Sequence, residues 1–225
     1  MNVAVIIPAF NEAKTIAETI QGIKQVEMVN RVIVVDDGST DETSAIAESC
    51  GVEVVRHSKN MGKGKALNKG LQVIRKADIV VFLDGDVGTT SHEIEKLILP
   101  LIDGKADITI AKFPPPKIRG GFGFVKFLAK TGLKLFTGIT FSSPLSGQRA
   151  MTWETIQFIG SIPSGFGAEV GITLKAAMGG FRIKEVEVNM THRETKRNLS
   201  GFIHRGRQFL AVSKVLLSFL FSRIL

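Results

Sequence analysis

The chain has 225 residues, of which 44% are hydrophobic and 22% charged, enough for a sizeable core in one domain with at most an appendage, and it excludes a disordered polypeptide. Its formal charge of +8 calls for an anionic partner, such as a nucleotide, a phosphorylated acceptor, nucleic acid or a membrane surface. A single cysteine, Cys50, rules out an internal disulfide framework and points to a reducing, cytoplasmic setting. The N-terminus enters a strand pattern without a signal-like segment, and no apolar run approaches the roughly 20 residues that cross a bilayer.

In chain order, Asn2 to Ile7 reads as an apolar strand stopped by Pro8, followed by Ala9-Phe10-Asn11-Glu12 and a helix bearing Ile16, Ile20 and Ile23. Arg31 to Val35 is a second strand, ending in Asp36-Asp37-Gly38. Ser39 and Glu42 then have capping-box spacing for a helix that closes at Gly51. Val52 to Val55 is a third strand, and Asn60-Met61-Gly62-Lys63-Gly64 leads into a helix with Ala66, Leu67, Leu71 and Ile74 on one face.

The fourth strand, Ile79 to Phe82, runs into Leu83-Asp84-Gly85-Asp86. Short runs of branched residues mark strands covered on both faces, and open α/β sheets bind ligands beyond the carboxyl ends of such strands. Asp84 and Asp86 are hard oxygen donors suited to magnesium or manganese, and Gly85 keeps a side chain out of the way of an approaching phosphate. Thr90 and Glu93 have a second capping-box spacing, ahead of Ile94, Leu97 and Leu101.

Strands alternating with helices predict right-handed crossovers and a mostly parallel, Rossmann-like α/β sheet with helices on both faces. The polar loops at Pro8–Glu12, Asp36-Asp37, Gly62-Lys63 and Asp84–Asp86 should then converge on one rim. Beyond a strand at Ile108–Ala111, Pro114 to Gly121 reads as a loop, Leu128 to Phe136 as a helix, and Ser146–Arg149 and Gly165–Glu169 as polar loops. Val186, Val188 and Met190 alternate as a late strand. A basic stretch from Arg193 to Arg207 precedes an amphipathic helix from Phe209 to Leu225, which would lie on an anionic membrane, pack on its own domain or meet a second copy as a homodimer. Arg119 and Arg149 carry guanidinium forks that match an acceptor phosphate.

Pro8-Ala9-Phe10-Asn11-Glu12, Val35-Asp36-Asp37-Gly38-Ser39, Asn60-Met61-Gly62-Lys63-Gly64 and Asp84-Gly85-Asp86 resemble, in order and spacing, the nucleotide-binding half of family 2 glycosyltransferases with the A-type fold. Pro144 to Arg149 and Phe166 to Gly171 resemble segments of glucosyl-3-phosphoglycerate synthases, and Ser146-Gly147-Gln148-Arg149 is also similar to polyprenyl-phosphate sugar transferases of the dolichol-phosphate mannose synthase type. The resemblance implies that Pro8, Ala9, Phe10 and Glu12 hold base and ribose, that Asp37 accepts from the base and that Lys63 lies near the phosphates. It implies further that Asp86 and His192 ligate the cation, that Asp84 and Gly85 line the nucleotide sugar, that Gly147 lies on the acceptor side and that Glu169 orients the sugar or acts as base. Glu194 stands where those synthases would place Asn.

On this reading residues 1–193 form a glycosyltransferase domain, with a nucleotide-binding half at 1–112 and an acceptor half at 113–193, followed by the basic segment and apolar helix at 194–225. The expected activity is metal-dependent transfer from a nucleotide-diphosphate sugar, UDP-linked since a carboxylate selects the imino N–H of uracil, to a phosphorylated small molecule or a polyprenyl phosphate. A cytoplasmic enzyme, peripheral to the membrane if the tail binds lipid, follows. The alternatives are a sugar nucleotidyltransferase, which needs an Arg-containing Gly-rich loop after the first strand, and a membrane-attached nucleotide-sugar binder without turnover. Nucleic-acid binding lacks a zinc knuckle, a helix-turn-helix or an aromatic-rich strand and is set aside.

Overall fold

The computed structural model describes residues 1–114, 124–163, 167–191 and 199–222. Its strands are β1 (Val3–Ala9), β2 (Val29–Asp36), β3 (Glu53–Arg56), β4 (Ile79–Phe82), β5 (Ile108–Lys112), β6 (Arg149–Thr152) and β7 (Ile183–Glu187). They form a seven-stranded sheet in the order β3-β2-β1-β4-β6-β5-β7. Among the described strands β6 alone runs against its neighbours, β4 and β5.

The helices are α1 (Ile16–Lys24), α2 (Thr43–Ser49), α3 (Lys63–Val73), α4 (Ile94–Ile102, entered through a 3-10 turn at Gly88–Glu93), α5 (Phe124–Thr137), α6 (Trp153–Ile159), α7 (Ala168–Met178) and α8 (Leu199–Ser222). Side chains alternate across a strand, so β1 sends Val3, Val5 and Ile7 to one face and Ala4 and Ile6 to the other. The first set joins Ile16, Ile20, Ala47, Ile94 and Leu97 from α1, α2 and α4. The second joins Ala66, Leu67, Leu133, Ile156, Leu174 and Leu216 from α3, α5, α6, α7 and α8. With both faces covered, the central strands read as unbroken apolar runs.

Pro8 does not end β1, which continues to Ala9. Pairing with β4 stops at Ile6 opposite Phe82, and by the period of two Pro8 turns its missing N–H toward that same side, where no ladder bond is owed. The late strand starts earlier than the alternation suggested, at Ile183, while Val188 and Met190 are buried just beyond it and the Val188 N–H donates to the Lys112 carbonyl at 3.1 Å.

Neither expected capping box forms. The Ser39 hydroxyl accepts instead from the Asn11 N–H at 2.9 Å, and the Thr90 hydroxyl accepts from the Thr191 N–H at 2.9 Å. Glu93 pairs with Lys96 and accepts from the Asn189 N–H at 3.0 Å. Tertiary partners have taken the groups that local capping would use.

The C-terminal helix begins at Leu199 and turns its apolar ridge onto its own domain. A Cβ on Gly132 of α5 would stand 2.5 Å from the Leu216 methyls, and one on Gly167 would stand 2.6 Å from a Val215 methyl, so both glycines let α8 seat closely. Val212 and Leu216 are thereby part of the same core as Ile6 and Phe82. Leu216→Ala should cost about 2–5 kcal/mol of unfolding free energy, as a core truncation does. Urea titration checks this, and a loss under about 0.5 kcal/mol, the scale of a surface change, would mean that α8 is a loose tail.

Candidate functional site

The carboxyl ends of β1, β2 and β4 come together at one edge of the sheet, and backbone hydrogen bonds tie their loops. The Asp37 N–H donates to the Ala9 carbonyl at 2.8 Å, and the Glu12 N–H donates to the Thr43 hydroxyl at 2.8 Å. Asn11 takes a left-handed conformation at φ 57°, and its side-chain oxygen accepts from the Thr40 N–H at 2.9 Å. Asparagine is among the few non-glycine residues that enter this region readily. Pro8 and Ala9 close β1, and Phe10 is exposed on the loop that follows. A Cβ on Gly85 would lie 3.4 Å from the Glu12 side chain and 3.5 Å from Ala9, so the Asp84–Asp86 loop packs against the Pro8–Glu12 loop.

The two aspartates after β2 have different duties. Asp36 is fully buried, and its Oδ1 accepts from the Ser39 N–H at 2.8 Å. Its Oδ2 lies 3.2 Å from Arg56 Nε but without a well-directed hydrogen bond. Asp37 holds the loop before α3: its carboxylate accepts from the Met61 N–H at 2.9 Å and the Gly62 N–H at 2.7 Å, and contacts His57 Nδ1 at 2.7 Å. Gly62 enters α3 at φ 90°, a conformation open to glycine, and Lys63 follows as the first residue of the helix.

Lys63 is the centre of the site. Its ammonium is 2.6 Å from Asp84 Oδ1 and 3.2 Å from Glu169 Oε1, the latter in the first turn of α7. Burial alone would lower the Lys63 pKa, but the charges of Asp84 and then Glu169 outweigh it and raise the ammonium above the usual lysine value. Asp84 Oδ2 accepts from the Gln148 side-chain amide at 2.9 Å, and the Ser146 hydroxyl donates to the amide oxygen of Gln148 at 3.3 Å.

Antiparallel pairing explains why Gln148 is there. Phe82 of β4 is opposite Arg149 of β6, so continuing the register puts Leu83 beside Gln148 and Asp84 beside Gly147. A Cβ on Gly147 would collide with the Lys63 ammonium and stand 2.9 Å from Asp84 Oδ2. Gly147, expected on the acceptor side, therefore lies against the Lys63–Asp84 pair. The sequence reading missed β6 and with it Gln148, since four residues beginning with arginine carry no strand signal.

Arg149 calls for a correction. It is fully buried, with Nε donating to the Ser146 carbonyl at 2.8 Å, Nη1 to the Thr173 hydroxyl at 2.9 Å and Nη2 to the Pro144 carbonyl at 3.4 Å. Burial lowers its pKa to about 10, against the opposing pull of Glu169 and Glu185. It is a strut under the Pro144–Gln148 loop and not a contact for an acceptor phosphate. Glu185 fastens the start of that loop by accepting from the Ser142 and Ser143 N–H groups at 2.8 and 2.6 Å.

Arg119 and His192 lie outside the described residues. Thr191 is tied by its hydroxyl to the Val87 carbonyl at 3.1 Å, directly after Asp86. Among the described residues no group of three acidic, histidine or cysteine side chains makes a closed metal cage. An ion of the magnesium type needs no closed cage, since it is held by one or two carboxylates and completes its shell with phosphate oxygens and water. Both Asp84 oxygens are engaged, one by Lys63 and the other by Gln148.

Comparison with known proteins places these loops in a wider set. Residues 4–143 match glycosyl transferase family 2. An uncharacterized protein of Methanocaldococcus jannaschii is 30% identical over 98% of this chain and 91% of its own length. The glucosyl-3-phosphoglycerate synthase of Mycolicibacterium smegmatis is 29% identical over 93% of this chain and 75% of its own. The crystal structure of glucosyl-3-phosphoglycerate synthase from Mycobacterium tuberculosis with Mn2+, uridine diphosphate and phosphoglyceric acid superposes with a TM-score of 0.80 at 27% identity, covering 96% of this chain and 78% of that one. Another structure of that enzyme holds Mg2+ and uridine diphosphate.

Gln148→Leu keeps the side chain's bulk but strips Asp84 of a buried donor, which should lower stability by about 1–3 kcal/mol. Denaturant unfolding of the ligand-free protein measures this, with Gln148→Glu as a companion. The added carboxylate beside Asp84 should destabilise the protein more at neutral pH than in acid, because like charges disfavour ionisation.

Proposed function

The chain belongs to glycosyl transferase family 2, and on that premise we propose that it moves a hexose from a uridine diphosphate sugar to a hydroxyl of a phosphorylated acceptor, with magnesium or manganese as cofactor. The observation that carries this reading is the Lys63 ammonium set between Asp84 and Glu169, beside the loops of Glu12 and Asp37, at the carboxyl edge of the sheet. The related mycobacterial synthase, bound to uridine diphosphate, a divalent ion and phosphoglyceric acid, supports the donor, the cofactor and an acceptor bearing phosphate.

In this scheme Pro8, Ala9, Phe10 and Glu12 hold base and ribose, with Glu12 accepting from ribose hydroxyls. Asp37 has three donors from its own chain, and a carboxylate has about four lone-pair sites, which leaves one for the imino N–H of uracil. Asp86 and His192 hold the cation, supported by the tie between Thr191 and Val87. When bound, the ion supplies Lewis-acid neutralisation of the departing diphosphate. Lys63 adds a fixed positive charge that requires no proton transfer, and Gln148 and Lys63 keep Asp84 oriented toward the sugar. Glu169 already neutralises Lys63, so we assign it to orienting sugar hydroxyls.

We assign residues 1–112 to the nucleotide and 113–193 to the acceptor. Arg119 is the phosphate contact on that side, since Arg149 is withdrawn into the core. The acceptor's common feature is a phosphate monoester, carried by a small phosphoglycerate-like molecule or by a polyprenyl chain. A cytoplasmic setting suits the lone thiol of Cys50.

Uridine diphosphate with manganese at one hundred times its dissociation constant should stabilise the protein by about 2.7 kcal/mol, read as a rise in melting temperature. Asp86→Ala should abolish that rise and the release of uridine diphosphate from the sugar donor, while far-UV dichroism shows the fold retained. Release that depends on 3-phosphoglycerate or on a short-chain polyprenyl phosphate identifies the acceptor, and pyrophosphate release in place of transfer would point to a nucleotidyltransferase.

Lys63→Met should lower kcat by about 100- to 1,000-fold, the usual effect of losing one preorganised donor at a developing charge. The folded pKa of Lys63 lies above its unfolded value, so its contribution to stability is complete below the unfolded pKa of about 10.4 and is lost only as pH rises through the folded one. A rate profile of the wild type should accordingly show no alkaline loss from Lys63 between neutrality and that unfolded pKa.

A further inference from the structure

α5 is apolar on two opposite sides. Its inner ridge of Ala129, Gly132 and Leu133 is buried, with Leu216 of α8 seated over Gly132. On the outer side Phe127, Thr131 and Leu135 recur every fourth residue and so share one row, and Phe127 and Leu135 are 69% and 75% exposed. Helices at the surface of a domain ordinarily turn one apolar stripe to the core and polar residues to water. One residue before each member of the outer row come Lys126, Lys130 and Lys134, a parallel basic row.

α8 repeats the pattern beside it. Its inner face holds Val212 and Leu216, while Leu210 and Leu217, one heptad apart, are 69% and 52% exposed with Lys214 between them. Neither helix contains an acidic residue. Large apolar side chains aligned with lysines and without carboxylates suit a helix lying in the plane of a lipid headgroup layer. No helix among the described residues is long and apolar enough to cross a membrane, so the contact is superficial.

We propose that the outer faces of α5 and α8 dock this protein on an anionic lipid bilayer, with Phe127 and Leu135 entering the boundary between headgroups and acyl chains and the lysine row meeting lipid phosphates. A second copy of the chain is the poorer occupant, because pairing these faces would gather the lysines of both copies with no carboxylate in either helix to offset them. The proposal places the membrane on α5 and relocates it from the apolar ridge of α8, which faces the core. It goes beyond the transferase reading and stands independently of it.

Flotation of the full chain with phosphatidylcholine vesicles, with and without phosphatidylglycerol, tests the proposal. The wild type should bind the anionic vesicles about tenfold more tightly than the neutral ones, and added salt should weaken that binding. Phe127→Ser combined with Leu135→Ser should reduce binding about tenfold while far-UV dichroism and the melting temperature stay unchanged, since both side chains lie outside the core. Lys126→Gln, Lys130→Gln and Lys134→Gln together should remove the preference for anionic lipid. Wild type that stays unbound on anionic vesicles, or a Phe127→Ser and Leu135→Ser variant that binds as wild type does, would overturn the proposal. So would a wild-type dimer, seen by light scattering, that the same two changes convert to monomer.

Discussion

One ammonium held between two carboxylates ties the two halves of this fold together. Lys63 comes from the first turn of α3, Asp84 from the loop after β4 and Glu169 from the first turn of α7. These three positions are far apart along the chain, and each belongs to an element set by the sheet. Opposite charges a few ångströms apart interact weakly in water and more strongly where solvent is displaced. The contact is favourable because the fold, and not the contact itself, has already fixed the groups that make it.

The reversed strand β6 makes this arrangement possible. A parallel strand beside β4 would need a crossover and would end at the same rim as β4. An antiparallel one starts there, so the two residues ahead of it, Gln148 and Gly147, arrive beside Leu83 and Asp84. Glycine leaves room for the ammonium, and glutamine supplies a neutral donor to the second carboxylate oxygen. A charged donor at Gln148 would have offset more of the negative charge on which a divalent ion depends. Arg149, one residue on, points into the core and binds carbonyls of its own loop, so its charge shapes the rim from beneath.

The first half of the fold was legible because strands covered on both faces spell continuous apolar runs that stop at carboxylates, and β1, β2 and β4 do this at Glu12, Asp36-Asp37 and Asp84. Helices between them followed from apolar spacing, as with Ile16, Ile20 and Ile23. What escaped was decided by partners distant in sequence. Ser39 and Glu42 have the spacing of a local cap, but Asn11 reaches the Ser39 hydroxyl from the β1 loop. Thr90 and Glu93 instead hold the segment from Asn189 to Thr191. β6 is four residues long and begins with an arginine, so its identity as a strand rests on pairing with β4 and β5. Arg149 resembled a phosphate contact because exposure cannot be read from a lone guanidinium.

The loops after β2 and β4 are also mechanically continuous. Asp37 accepts from the N–H groups of Met61 and Gly62, the two residues before Lys63, and so fixes the direction in which α3 starts. Lys63 then meets Asp84, and Asp84 meets Gln148. Each link is a charge-assisted hydrogen bond, which is stronger and more directional than a neutral one. The Asp37 carboxylate thus helps to aim the Lys63 ammonium, through two backbone amides and no intervening side chain. Asp36, fully buried beside it, fixes the turn by accepting from the Ser39 N–H, which leaves Asp37 to hold the loop before α3. The pair of adjacent aspartates thus divides the fixing of the rim, Asp36 holding the turn after β2 and Asp37 the loop before α3.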